Sequence, residues 1–135
     1  MEILVVGLSH KTAPIELRER LSVSEQDLPK PLELLGNSPE IAERMLIATC
    51  NRVEVYAVAE GPVEKAVEAI TDRLATHHNL EKSRFEDKLY THTAAGAVRH
   101  VFRVASSLDS LVVGEPQILG QVKSAYSIAR SQEAT

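Results

Sequence analysis

Met45-Leu46-Ile47-Ala48-Thr49-Cys50-Asn51-Arg52-Val53-Glu54-Val55-Tyr56-Ala57-Val58 is the stretch that decides the fold. One apolar run leads into Thr49-Cys50-Asn51-Arg52 and a second leads out, and Asn51 takes turn conformations readily. Residues 43–48 and 53–59 read as two antiparallel strands around that turn. In the second, Val53, Val55 and Ala57 alternate with Glu54 and Tyr56, which predicts a half-buried strand. Cys50 is the only cysteine of the chain. A thiol at a strand end, with an arginine two residues on, is a candidate nucleophile. A lone cysteine also serves as a small buried apolar residue, and spacing alone leaves both readings open.

Upstream, residues 3–8 are apolar throughout, as in a strand covered on both faces. Gly7 within it allows a close approach of backbone or ligand. The polar loop Ser9-His10-Lys11-Thr12-Ala13-Pro14 follows, with Thr12 expected to cap a helix and Pro14 to stand early in it. Leu17 and Leu21, four apart, share a helical face, and Arg18, Glu19 and Arg20 look outward. Ser24 is a candidate cap. Pro29 and Pro31 are expected to disturb a helix, which Leu32, Leu34 and Leu35 resume up to Gly36-Asn37.

Downstream, Gly61-Pro62 ends the strand. Val63, Ala66, Val67, Ile70 and Leu74 follow at helical spacing. His77 and His78 are adjacent and cannot share a helical face, so they read as a charge complement to the helix C-terminus rather than metal ligands. Residues 88–92 are a short strand. Strand, helix, two strands, helix, strand is the order of an α+β ferredoxin-like split βαβ sandwich (βαββαβ), with extra helices between the first two strands. A C-terminal helical extension then carries one apolar stripe of Ala94, Val98, Val101, Phe102, Ala105 and Leu108, with His100, Arg103 and Ser107 on another face. A second stripe is Ile118, Leu119, Val122, Ala125 and Ala129. The expected division is a sandwich over 1–92 and a helical subdomain over 93–135.

The chain has 135 residues, 44% hydrophobic and 25% charged, which suits one globular domain. A formal net charge of -4 argues against a generic polyanion-binding surface, so any nucleic-acid contact needs a local basic patch. Arg18, Arg20 and Lys11 are candidates for phosphate contact, against the alternative of a solvated face. The single cysteine excludes an intrachain disulfide and fits a reducing compartment. No apolar run spans a membrane, and Met1-Glu2-Ile3-Leu4 lacks a signal-peptide start, so the expected location is cytoplasmic.

Three blocks carry a family resemblance: Gly7-Leu8-Ser9-His10-Lys11-Thr12-Ala13-Pro14; Thr49-Cys50-Asn51-Arg52-Val53-Glu54; and Ser110 with Gly114-Glu115-Pro116-Gln117-Ile118-Leu119-Gly120-Gln121-Val122-Lys123. Together they resemble the N-terminal catalytic part of glutamyl-tRNA reductase. The resemblance implies an NADPH-dependent oxidoreductase of tetrapyrrole biosynthesis that converts glutamyl-tRNA(Glu) to glutamate-1-semialdehyde. It makes Cys50 the nucleophile that attacks the aminoacyl ester to form a thioester, and places the family's functional histidine at His100. Thr49, Cys50, Asn51, Arg52, Ser110, Glu115, Pro116, Gln117 and Gln121 match its substrate-holding positions. Ser107 stands where many members carry glycine. The resemblance also implies a homodimeric full enzyme working with glutamate-1-semialdehyde aminomutase, this piece being monomeric and cut from a longer chain.

The chemistry suits these residue types. A free thiol has a pKa of about 8.5, which nearby cations such as Arg52, His10, Lys11 or His100 lower. A thioester preserves acyl activation for a hydride, where a serine ester would not. The Arg52 fork can bond both oxygens of a substrate carboxylate, unless it pairs with Glu54 or Glu115 at the surface. His100 can protonate the leaving ribose oxygen. No Gly-x-Gly-x-x-Gly follows a strand, so NADPH is expected on a domain absent from this chain, and hydride transfer is not expected from this piece alone. Two other classes compete on the residues alone: a cysteine-dependent acyl hydrolase with a Cys50–His100 pair, and a non-catalytic ferredoxin-like ligand-binding module.

Overall fold

The computed structural model describes residues 2–49, 51–94, 96, 97 and 100. Strands are β1 (Glu2–Ser9), β2 (Ile41–Ala48), β3 (Arg52–Ala59) and β4 (Tyr90–Thr93). Helices are α1 (Ile15–Leu21), α2 (Pro29–Gly36) and α3 (Val63–His78), with short 3-10 turns at Glu25–Asp27, Lys82–Arg84 and Glu86–Lys88. The strands form one antiparallel sheet in the order β2-β3-β1-β4. This is an α+β fold with the two most apolar strands, β1 and β3, at its centre.

Period-two alternation sorts the strands into two faces. Leu4, Val6 and Leu8 of β1 and Val53, Val55, Ala57 and Ala59 of β3 point to one side. There they meet Leu21 of α1, Leu32 and Leu35 of α2, and Ala66, Ile70 and Leu74 of α3, all buried. Spacings of three and four along α2 and α3 set these apolar residues on single helical faces. The second face holds Val5, Ile47, Tyr56 and, from beyond β4, Ala97. Both sides of the sheet are therefore covered over its centre.

Several local readings of the sequence give way here. β3 is not half-buried: Glu54 is 0% and Tyr56 8% exposed, because the second face is covered as well. Pro29 and Pro31 do not disturb α2 but begin it, in the first turn, where a backbone N–H has no helical partner to lose. Thr12 does not cap α1, whose N-cap is Pro14 with no side-chain bond. Instead the Thr12 hydroxyl accepts a hydrogen bond from the Ser9 amide at 3.1 Å and closes the loop on itself. Ala94 is exposed with a φ of 50°, and the buried pair is Ala97 and His100, three residues apart. The stripes predicted beyond residue 100 lie outside the described residues.

α3 ends as its sequence asks. Asn79 takes the left-handed conformation at φ 50°, and the Leu80 amide reaches back to the Ala75 carbonyl at 3.0 Å. The two histidines before it do not supply charge. Burial, followed by the charges of His77 and Arg20, pushes His78 down to about 4. Burial and Lys30 lower His77 too. Both shifts favour the neutral form of the ring.

Candidate functional site

β2 and β3 are joined by a three-residue link, positions 49–51. The Thr49 amide donates to the Arg52 carbonyl at 2.8 Å and closes the turn. The Thr49 hydroxyl accepts from the amides of Asn51 and Arg52 at 3.1 and 3.2 Å. A small β-branched hydroxyl residue at that point thus satisfies two amides that have no ladder partner. The loop after β1 braces the turn from the side, with the His10 amide donating to the Asn51 carbonyl at 2.8 Å. Cys50 lies outside the described residues, but the backbone is fixed on both sides of it.

Below the turn, β3 sends Arg52, Glu54 and Tyr56 to the second face of the sheet. Arg52 is 1% exposed and its Nη1 lies 3.6 Å from the Glu54 carboxylate. This is a buried arginine, not a surface one. Glu54 is the hub. It accepts hydrogen bonds from the Tyr56 hydroxyl at 2.6 Å and from the Tyr90 hydroxyl, and its Oε2 meets His100 Nε2. Burial alone would raise the Glu54 carboxyl, but the bonds from His100, Tyr56 and Tyr90 outweigh it and hold the group below its ordinary range. An ionised carboxylate only accepts, so Nε2 of His100 carries the proton in this contact. Burial first, and the Glu54 charge second, push the Tyr56 hydroxyl far up, so it stays a donor.

Gly7 makes this arrangement possible. It is paired with Glu54 on one side and Tyr90 on the other. The Glu54 side chain crosses over Gly7 to reach the phenol on β4. A Cβ at Gly7 would lie 2.4 Å from the Val53 carbonyl oxygen and 2.8 Å from Glu54 Cγ. His92, next on the same face of β4, stacks on His100 at 4.6 Å between ring centroids, and Tyr90 meets the same ring at 5.4 Å. The imidazole is thus held by a carboxylate at its edge and by two rings at its sides.

Of the residues singled out from sequence, the structure brings Thr49, Asn51, Arg52 and His100 to one region. Ser110, Glu115, Pro116, Gln117 and Gln121 lie outside the described residues. Sequence reasoning missed Glu54, Tyr56, Tyr90 and His92 as a set. The available signal was period two: Arg52, Glu54 and Tyr56 share one face of β3, and Tyr90 and His92 one face of β4. Among the described residues no group of His, Cys, Asp and Glu side chains is arranged to hold a metal, and no helix is long and apolar enough to cross a membrane.

Fold and site together define an α+β domain in which a buried Glu54, ion-paired with Arg52 and hydrogen-bonded to His100, lies beneath a braced hairpin turn. Residues 6–135 match the family model described as glutamyl-tRNAGlu reductase, N-terminal domain. A glutamyl-tRNA reductase of Syntrophotalea carbinolica is 51% identical over 131 residues, covering 97% of this chain and 29% of that protein. One from Geotalea uraniireducens is 47% identical over 135 residues, covering 100% of this chain and 31% of that protein. Among solved structures, glutamyl-tRNA reductase from Methanopyrus kandleri superposes with a TM-score of 0.71 at 32% identity, covering 98% of this chain and 29% of that one. The chain belongs to the glutamyl-tRNA reductase N-terminal domain family, and it spans less than a third of the length of these relatives.

Proposed function

We propose that this chain is the substrate-binding and acyl-accepting domain of a glutamyl-tRNA reductase, and that Cys50 is its nucleophile. The observation that carries the reading is the Glu54–His100 contact, with Arg52 at 3.6 Å, directly below the turn that bears the thiol. The Cys50 sulfur attacks the ester carbonyl of glutamyl-tRNA, a carbon–sulfur bond forms and the carbon–oxygen bond to ribose breaks. The thiol proton ends on the released ribose hydroxyl, relayed by His100, whose orientation Glu54 fixes. Arg52 supplies positive charge for the thiolate and for the substrate carboxylate. Thr49 and Asn51 shape the turn, and Ser110, Glu115, Pro116, Gln117 and Gln121 complete the grip on the glutamyl group.

The strand order β2-β3-β1-β4, with every neighbour antiparallel and the helices on one face, supports the ferredoxin-like split βαβ class. The division into a sandwich over 1–92 and a helical subdomain over 93–135 belongs to the same proposal. The overall activity is the NADPH-dependent reduction of glutamyl-tRNA(Glu) to glutamate-1-semialdehyde. Two observations support placing NADPH outside this chain. A pyrophosphate needs open amides at a strand-to-helix turn. At the β3-to-α3 turn Pro62, the N-cap, removes one such amide, and Gly7 is packed against Val53 and Glu54. Cofactor binding is therefore assigned to the remainder of the longer enzyme, and no step here runs through it.

The test is intact-mass detection of a glutamyl adduct after mixing this chain with glutamyl-tRNA. The parent is expected to form it, Cys50→Ser is expected not to, and His100→Asn is expected to slow it about 100-fold. Glutamate release by Cys50→Ser at the parent rate would remove the thiol from the mechanism. Semialdehyde formed by this chain with NADPH would refute the assignment of hydride transfer elsewhere. Turnover of a simple activated ester as fast as aminoacyl-tRNA would favour the acyl-hydrolase reading.

A further inference from the structure

The end of the sheet that carries residues 49–52 also carries a basic cleft. Ser9 closes β1 opposite Arg52, and Gly7 faces Tyr90 at the start of β4. Lys88, two residues before Tyr90, therefore lies at this same end, as does the loop from Ser9 to Pro14 that braces Asn51 and leads into α1. Between α1 and the turns before β4 is a cleft of about 400 Å³. Leu17 and Leu80 line it, Arg20, Arg84 and Lys88 supply the cations, and Glu16 is the one carboxylate.

Arg20 and Arg84 are exposed. Neither has an ion-pair partner among the described residues, and Lys88 has only a loose contact with Asp87 at 3.9 Å. In a chain of net charge -4, three cations against one lining carboxylate is a local reversal of sign. The charge of Arg20 contributes, after burial and His77, to holding His78 below its ordinary range. Guanidinium forks match phosphate oxygens bidentately, and the apolar lining gives a sugar a dry surface to rest on.

We propose that the Arg20–Arg84–Lys88 cleft holds backbone phosphate of the RNA that delivers the acyl group to the turn at residues 49–52. This rests on the reading of the chain as a glutamyl-tRNA-binding domain. It explains how an acidic domain engages a polyanion at all: the contact is confined to the end of the sheet where the reacting ester must arrive. Arg84 and Lys88 had no assigned role from sequence, because they are brought beside Arg20 only by the pairing of β4 with β1.

The probe is a CCA-ended RNA minihelix, uncharged with amino acid, titrated against this chain at several salt concentrations. The triple variant Arg20→Ala, Arg84→Ala, Lys88→Ala is expected to bind at least about tenfold more weakly. The slope of log affinity against log salt is expected to fall by about 2 to 3, the loss expected for three phosphate contacts. Lys65→Ala, exposed in the first turn of α3 at the opposite end of the sheet, is expected to change neither. Equal binding and slope in parent and triple variant would overturn the proposal. So would no binding by the parent at low salt, or competition by pyrophosphate as strong as by unlabelled RNA. A small glutamyl thioester without phosphate separates the two readings. Parent and triple variant are expected to acylate Cys50 equally, and failure of both would count against the acyl-transfer reading while leaving the RNA result to stand.

Discussion

Gly7→Ala is the substitution whose effect the structure fixes most closely. The added Cβ would meet the Val53 carbonyl oxygen at 2.4 Å, Glu54 Cγ at 2.8 Å and Glu54 Cα at 2.9 Å. Two of these atoms are backbone of β3, the strand to which β1 is hydrogen-bonded, and cannot rotate away. Relief requires β1 and β3 to separate by several tenths of an ångström or Glu54 to leave its partners. Overpacking a tight core costs about 1–3 kcal/mol, and here the top of that range applies because the obstacle is main chain. Restricting the unfolded chain returns about 0.4–1 kcal/mol. The expected net loss is about 2 kcal/mol, or a fall in Tm of about 8 °C for a domain of this size. Urea denaturation followed by circular dichroism measures it. A cycle with Glu54→Ala divides it: the Glu54 Cγ part of the clash disappears on truncation, whereas the Val53 part persists, so the two losses are expected to sum to more than the double variant shows. A Gly7→Ala chain within 0.5 kcal/mol of the parent, a threshold near the ordinary effect of an innocuous surface change, would refute the close approach of β1 to β3 on which the Glu54 cluster depends.

Glu54→Gln removes the charge facing buried Arg52 and is expected to cost about 3 kcal/mol in urea denaturation. The carboxyl is lowered in the fold, so its stabilisation is present above the unfolded value near 4.5 and is lost as pH falls through the folded value; the acid limb of a stability–pH curve should flatten in the variant. His78 works from the opposite side: it is depressed to about 4 from 6.5, so the unfolded chain binds the extra proton between those values and stability should rise with pH across that window. Partial exposure and screening reduce that rise to about 1 kcal/mol, and His78→Gln should abolish it in thermal melts at pH 4.5 and 7. Thr49→Val keeps the shape but strands two amides; a loss of about 1–2 kcal/mol in denaturation, with slower Cys50 acylation, is the expected result.

The hairpin was legible because its signals are local: apolar runs of strand length and a turn residue between them. The order of elements followed from the same cues, as did α3 from its apolar spacing. Glu54 was not legible as a hub. A glutamate alternating with valines reads as a solvent-facing position, and only residues far away in sequence, Tyr90, Ala97 and His100, cover it. His77 and His78 failed for the same reason, since their burial and the nearness of Arg20 and Lys30 are tertiary facts. The two prolines of α2 were misjudged on position: the same residue that breaks a helix interior starts a helix at its first turn. Arg52 was singled out by its place beside the turn, but its depth depends on the cover over the second sheet face.

The pairing pattern also orders the events by which the domain assembles. β2 and β3 meet across a three-residue link, whereas β1 waits for partners at residues 52–59 and 90–93. Local contacts close first and distant ones later. The segment bearing the thiol thus belongs to an early-forming ribbon. The imidazole at position 100 rests on Tyr90 and His92 of the outermost strand, and nascent chains shorter than that carry the sulfur without the group assigned to manage its proton.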